Sequence, residues 1–284
     1  MNVDEFIEAA ILEDIGDPKE ILKPGDHTSR ATIRDETYDR ARLLVKEDGV
    51  IAGVDLAQKI YQKIDPGVEI EVLIPDGEKV KYGDIVFHVE GEVKSILLGE
   101  RLSLNFMQRM SGISTQTRRF VDEVEGTGVK ILDTRKTTPL LRTFEKWAVR
   151  IGGGYNHRFG LYDMIMIKDN HIDYCGGITQ AINSTKEYLK DLNLDIRIEV
   201  ETRSIEDVKE VIGVGGIDRI MLDNFEPEEV EEAVTLIAGK FETEASGGIE
   251  FDTLRPYAMA GVDFISVGAL THSYESLDLS LKAF

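Results

Sequence analysis

Six short apolar runs in the second half of the chain each stop at residues that can do chemistry. VKILDT leads into Arg135 and Lys136, MIMI stops at Lys168, RIEV at Glu201, RIML at Asp223, FETEA at Ser246-Gly247-Gly248 and FISV at Gly268. The residue types are sorted along the chain: cations first, then carboxylates, then glycine-rich turns. Arg offers a planar fork that matches a carboxylate or phosphate, and Lys a point charge. Two carboxylates one strand apart can hold Mg²⁺ or bond the hydroxyls of a sugar. Glycine-rich turns let backbone N–H groups approach a phosphate. Polar strand ends are also common for solvation alone. The sorting by type is what points to a pocket for a phosphorylated sugar and a polyanionic partner.

The elements that must position these residues follow from the spacing. Glu201, Asp223, Ser246 and Gly268 recur at intervals of 22 to 23 residues, with helical patterns such as SIEDVKEVIG and EPEEVEEAVTLIAG between them. Strand, helix, strand at that period predicts βα units and a parallel sheet. Uniform units, with no Rossmann glycine pattern after the first strand, predict an α/β barrel over an open doubly wound sheet, with its chemistry at the C-terminal strand ends. Glycine-rich loops after the last two strands are where such barrels bind phosphate.

The first hundred residues differ. RARLLVKED, VEIEVLI and DIVFHVEGEV read as strands separated by Gly-containing turns, with a helix over DLAQKIYQKI. A long helix follows, from about 96 to 120, with Gly112 as its expected break. The expected domains are 1–112, an α/β sandwich on which a tail, 275–284, packs back, and 113–274, the barrel.

The 284 residues carry a formal charge of −20, which argues against nucleic acid as a partner. Between Arg101 and Lys168, however, 12 Lys and Arg face 6 Asp and Glu, so the remainder carries 21 against 47. A positive island in a negative chain suits a small anion. The single cysteine, Cys175, precludes an intrachain disulfide, and the acidic start lacks the basic n-region of a signal peptide. With no apolar run near the roughly 18 residues a bilayer needs, the expected setting is cytoplasmic, with no membrane partner.

The stretch DTRKTTPLLRTFEKWAVRIGGGYNHRFGLYDMIMIKDNHI resembles the core signature of the quinolinate phosphoribosyltransferases, also called nicotinate-nucleotide pyrophosphorylases. The resemblance continues in GDHTS, ERLSLNFMQRMSGISTQT, EVET, MLDNF, SGGI and GVDFISVGALTHS, and so covers nearly the whole chain. It implies an α/β sandwich followed by an incomplete, open α/β barrel of parallel strands. It further implies a homodimer or higher homo-oligomer and transfer of a phosphoribosyl group from phosphoribosyl pyrophosphate to quinolinate with loss of carbon dioxide, in NAD biosynthesis. Arg101, Arg135, His157, Arg158 and Lys168 match the positions around the quinolinate carboxylates, with Arg101 contributed across the subunit interface. Lys136, Glu201 and Asp223 match those that handle the phosphoribosyl pyrophosphate and its Mg²⁺. These three are the expected catalytic residues, with Glu201 and Asp223 as the metal ligands. Ser246, Gly247, Gly248 and Gly268 match the phosphate cradle. Thr134, beside Arg135, and Val267 and Ala269, flanking Gly268, complete the expected lining. Leu140 and Ile151 depart from the family pattern, which usually has Gly and Cys there.

His171 and His272 are left outside the site, His171 as a brace for its loop. Tyr155 and Trp147 read as packing and Cys175 as an incidental thiol. Rival functions are a barrel aldolase or lyase with Lys136 or Lys168 as a Schiff-base amine, a phosphate-sugar binding protein, and a phosphoribosyltransferase for another aromatic acid.

Overall fold

The computed structural model describes residues 2–19, 21 and 23–284. The chain divides into two compact units, Met1–Thr115 with Glu275–Phe284, and Gln116–Tyr274. In the first, α1 (Val3–Ile15) and α2 (His27–Thr32) precede β1 (Tyr38–Val45), β2 (Gly49–Val50), α3 (Val54–Ile64), β3 (Glu69–Val72), β4 (Lys79–Val80) and β5 (Ile85–Glu92). β1 alternates as a half-buried strand should, with Ala41, Leu43 and Val45 turned inward. The amphipathic α3 buries Val54, Ala57, Ile60 and Tyr61. Val54, Ala57 and Tyr61 meet Ile51, Phe87 and Met107 in an apolar core. The sheet's fourth strand is Leu279–Ala283, from the far end of the chain. It runs antiparallel to β1 with Leu281 opposite Leu43, and β1 pairs in turn with β5 and β5 with β3.

The long helix α4 (Val93–Glu123) starts in this unit and runs unbroken for 31 residues, so Gly112 does not break it as expected. A Cβ on Gly112 would stand 2.1 Å from the Glu275 carbonyl oxygen. The glycine lets the returning tail cross against the helix backbone. The propensity penalty it imposes, about 1 kcal/mol against Ala, is small beside such a clash.

The second unit holds β6 (Lys130–Leu132), α5 (Arg142–Ile151), β7 (Ile165–Ile167), α6 (Asp169–Cys175), α7 (Ile178–Leu192), β8 (Ile198–Thr202), α8 (Ile205–Val214), β9 (Arg219–Asp223), α9 (Pro227–Ile237), β10 (Glu242–Ser246), α10 (Leu254–Met259), β11 (Phe264–Ser266) and α11 (Ala269–His272). Every predicted apolar run is a strand. All pairings are parallel, in the order β6-β11-β10-β9-β8-β7. The chain begins at one edge, crosses to the other and returns strand by strand. Helix starts are marked locally: the Ser204 hydroxyl accepts the Asp207 N–H at 3.1 Å to open α8, and Pro227 opens α9.

The sheet is an incomplete barrel, open between β6 and β7. No ladder joins these two strands among the described residues. Tyr155 takes a single rung beside β6 instead: its N–H donates to Ile131 O at 2.8 Å and its carbonyl accepts the Asp133 N–H at 3.1 Å. Register sets the inner face. Glu199, Arg219 and Glu242 stand side by side, then Glu201, Met221 and Glu244, then Asp223 and Ser246. Bulky aliphatic residues usually fill such interiors; here the inward positions are mostly charged.

Candidate active site

A cavity of about 500 Å³ opens at the C-terminal strand ends of the barrel. Residues following both edge strands and the middle ones line it, so the sheet curls around one space. Thr134, Arg135, Lys136, His157, Arg158, Lys168, Asp223, Ser246, Gly247, Gly248, Gly268 and Ala269 form its wall. Among the residues expected there, Glu201 and Val267 are buried and set back from the surface of the cavity. Arg101 lies on α4 in the first unit and is exposed. His272, left out by the sequence reading, lines the wall, as do Met166, Met221, Glu244 and Ser266.

The cationic side is built on a buried ion pair that sequence reasoning missed. The Asp133 carboxylate, fully buried at the end of β6, pairs with Lys146 of α5. The same carboxylate accepts the His157 N–H at 2.9 Å, and Lys146 Nζ donates to the His157 carbonyl at 3.0 Å. Burial pushes the Asp133 carboxyl up to about 6, against the pull of Lys146. The pair ties β6, α5 and the 155–158 segment to one point and aims Arg135, Lys136 and Arg158 at the cavity. Among the described residues, neither Arg135 nor Lys136 has a carboxylate within 4.0 Å, so both stand ready for an external anion.

Beneath them lies a polar floor. His157 Nε2 is 2.9 Å from Glu199 Oε2 and 3.4 Å from Glu244 Oε2, its N–H in line with neither. Arg219 Nη1 donates to Glu244 Oε2 at 2.7 Å, and its guanidinium stacks 4.0 Å from the centre of the Phe264 ring. Burial works against a charge on the His157 ring, but Glu199 and Glu244 outweigh it and raise the ring to about 9. The Arg158 N–H donates to Nδ1 of the same ring at 2.7 Å. Burial and the charge of Glu244 push the Glu199 carboxyl up to about 7, against the pull of His157 and Arg219.

On the opposite side, Lys168 Nζ donates to Glu201 Oε2 at 2.8 Å. Asp223 is held above the usual carboxylate range by burial and by Glu201, with Lys168 opposing. A pair of oxygen donors in which one ionised carboxylate disfavours the other suits a hard divalent cation, which would relieve that repulsion. The turn after β10 is open backbone. Gly247 has φ +96°, and a Cβ there would stand 2.3 Å from Asn224 Oδ1; a Cβ on Gly248 would meet nothing within 4 Å. Ser246 Oγ lies 3.0 Å from Ser266 Oγ, which fixes the start of that turn.

Comparison with known proteins bears on this arrangement. Residues 26–111 match the quinolinate phosphoribosyl transferase N-terminal domain, and residues 113–282 match the C-terminal domain. The chain belongs to the quinolinate phosphoribosyltransferase family. It is 47% identical over 290 residues to quinolinate phosphoribosyltransferase [decarboxylating] 1b of Nicotiana tabacum, covering 97% of this chain and 81% of that one. It is 42% identical to a probable nicotinate-nucleotide pyrophosphorylase [carboxylating] of Bacillus subtilis, with 95% and 89% covered. The crystal structure of NadC from Streptococcus pyogenes superposes with a TM-score of 0.91 at 39% identity, over 99% of this chain and 97% of that one.

Within the quinolinate phosphoribosyltransferase pattern, Leu140 now has a physical meaning. Its φ is +67°, a left-handed conformation, and its side chain is 77% exposed. Glycine suits that backbone better, and this chain holds the turn with a leucine that packs on little. His171 does brace its loop: Nδ1 accepts the Lys168 N–H at 2.9 Å at the start of α6. Signals for the missed residues were faint. Glu199 stands two residues before Glu201 on one strand, and so shares its face. Asp133 and Lys146 sit inside the signature stretch without any spacing that marks them as partners.

Proposed function

We propose that this chain transfers the phosphoribosyl group of phosphoribosyl pyrophosphate to quinolinate, releasing pyrophosphate and carbon dioxide and giving nicotinate mononucleotide. The observation that carries the reading is a single cavity with unpaired cations on one side and a carboxylate plus open glycine backbone on the other, in a chain of this family. Arg135, Arg158 and Lys168 bind the two carboxylates of quinolinate, and Lys136 binds the pyrophosphate. The Ser246–Gly247–Gly248 turn and Gly268 take the 5′-phosphate through backbone N–H groups.

The cations hold the dianion in attack geometry, which removes much of the entropic barrier. The pyridine nitrogen attacks C1 of the ribose as the C1–O bond to pyrophosphate breaks. Asp223 and Glu201 stabilise the positive charge that develops on the sugar. The ring nitrogen, now quaternary, draws in the electron pair left when the adjacent carboxylate departs as carbon dioxide, and the ring carbon then takes a proton. Glu201 and Asp223 would hold Mg²⁺, which neutralises charge on pyrophosphate when bound. Lys168 Nζ is taken up by its ion pair with Glu201, which is not the open, apolar setting a Schiff-base lysine requires.

Pyrophosphate and carbon dioxide should both appear with quinolinate, and neither with nicotinate. Pyrophosphate with nicotinate and no carbon dioxide would reassign the acceptor. The proposal includes a homodimer in which Arg101 serves the partner's site, consistent with its exposure on α4. Mixing inactive Arg101→Ala and Lys136→Ala proteins should then restore about a quarter of the activity through hybrid dimers, and no recovery would rule out sharing.

A further inference from the structure

Arg142 is the first residue of α5 and does not line the cavity. A cation there runs against the helix dipole, which favours acids in the first turn. Its side chain spans two loops. Nε donates to Thr137 Oγ1 at 3.0 Å, and Nη1 donates to the Phe159 carbonyl at 2.9 Å. The first loop follows β6 and carries Arg135 and Lys136; the second carries Arg158. A planar guanidinium holds two acceptors in a fixed geometry, which an ammonium on a flexible stem does not.

The two loops are fastened differently. In the first, the Thr138 N–H donates to the buried Glu145 carboxylate at 3.0 Å, and the Lys136 carbonyl accepts the Thr271 hydroxyl at 2.9 Å. That loop is tied to α5 on one side and to α11 on the other. The second is pinned at its start, where Lys146 Nζ donates to the His157 carbonyl at 3.0 Å. Beyond Arg158 it turns back on itself, because Asp163 accepts the N–H groups of Phe159 at 2.6 Å and Gly160 at 2.8 Å. The Arg142 bond to the Phe159 carbonyl ties this closed turn to the first loop. Arg142 and Lys146 lie four residues apart on one face of α5, so the helix grips the carbonyls on both sides of Arg158.

Arg158 needs such a grip. Burial and then the charge of Arg135 lower its pKa, so the two forks repel each other. A misplacement near 1 Å of a group that orients a substrate can cost about 10²-fold in rate. We propose that Arg142 is a positioning residue: it ties the loop of Arg158 to the loop of Arg135 and so sets the separation of the two forks for a dicarboxylate acceptor. This rests on the acceptor reading above. Arg142 acts through its two bonds and touches no substrate.

Arg142→Ala should raise the quinolinate KM about tenfold or more, with the phosphoribosyl pyrophosphate KM within about threefold of wild type, because Thr271 still fastens Lys136. Arg142→Lys keeps the charge and loses the fork, so its quinolinate KM should stay within about threefold of that of Arg142→Ala. A wild-type KM in Arg142→Lys would overturn the proposal, as would equal rises in the two KM values of Arg142→Ala. Thr137→Val removes one end of the tie alone. It should raise the quinolinate KM about threefold and add nothing to Arg142→Ala, since both changes break one strut; additive losses would sink the idea. Hydrogen exchange reads the tie without substrate. The amides of Phe159 and Gly160 should exchange about tenfold faster in Arg142→Ala, while that of Lys136 keeps its rate. Unchanged exchange at both amides would refute the tie whichever acid the wild type accepts. Failure of the wild-type protein to turn over quinolinate would strike the acceptor reading instead, and the exchange rates would still decide the tie.

Discussion

Behind the sheet of β1 and β5, the first unit packs Leu43, Ile51, Tyr61, Phe87 and Met107 against one another. At matching depth, the second unit places Asp133, Lys146, His157, Glu199, Arg219 and Glu244, all buried. Apolar contact is non-directional, so the first interior stabilises its sheet and specifies little else. Buried charges must be paired at defined distances, which makes the second interior a scaffold with fixed directions. The cavity lined by cations and carboxylates sits on that second interior. Polar packing costs stability but gives the side chains above it a definite aim.

The sharpest way to break this comparison is to remove a cation that the polar scaffold presents. Arg135→Ala should lower kcat/KM for quinolinate by at least about 30-fold, the 2–5 kcal/mol of a lost desolvated charge pair. A loss under tenfold would mean that the scaffold aims Arg135 at nothing.

Next come the interiors themselves. Lys146→Met leaves Asp133 buried without its partner and should cost about 3–5 kcal/mol in urea unfolding. Phe87→Ala, in the apolar core, should cost a similar 3–5 kcal/mol or so. The second substitution sharpens the contrast. Asp133→Asn added to Lys146→Met should recover much of the loss, because no unpaired charge remains. The hole left by Phe87→Ala should resist any such single repair. Equal behaviour of the two sites would erase the distinction between the interiors.

These features were unevenly legible in the sequence. Strand ends could be read because the βα period places them and their types are chemically sorted; Arg135, Lys168, Asp223 and Ser246 followed from that. Glu199 and Arg219 could not be read as interior. An alternating polar residue on a strand normally faces water, and the closing of a sheet on itself is a tertiary fact. Asp133 and Lys146 lie 13 residues apart in the chain with a loop and a helix between them, a spacing no local periodicity marks. Gly112 misled for the opposite reason. Helix propensity suggests a break there, while the carbonyl of a distant tail decided the residue.

A smaller test contrasts pH responses. Asp26 caps α2: the Ser29 hydroxyl and amide donate to its carboxylate and hold it below the usual range. A lowered folded pKa stabilises above the unfolded value near 4 and is lost as pH falls through the folded value. Asp26→Ala should therefore cost about 1 kcal/mol at pH 7, and urea curves of the two proteins should converge as pH falls below about 4 and through the lowered folded value. A gap that persists at low pH would mean that the cap works by packing instead of charge.

The smallest effect should be a gain. Leu140 holds φ +67° with an exposed side chain, beside the scaffold and outside it. Leu140→Gly removes the steric cost of a left-handed non-glycine residue, about 1–2 kcal/mol, and adds back nearly as much unfolded-chain entropy. The net should be a stabilisation of about 0.5 kcal/mol with kcat/KM unchanged. Loss of activity with a gain in stability would be the more informative result. It would place the 137–141 turn in the positioning of Arg135 and Lys136, and would mean that leucine is kept there for stiffness.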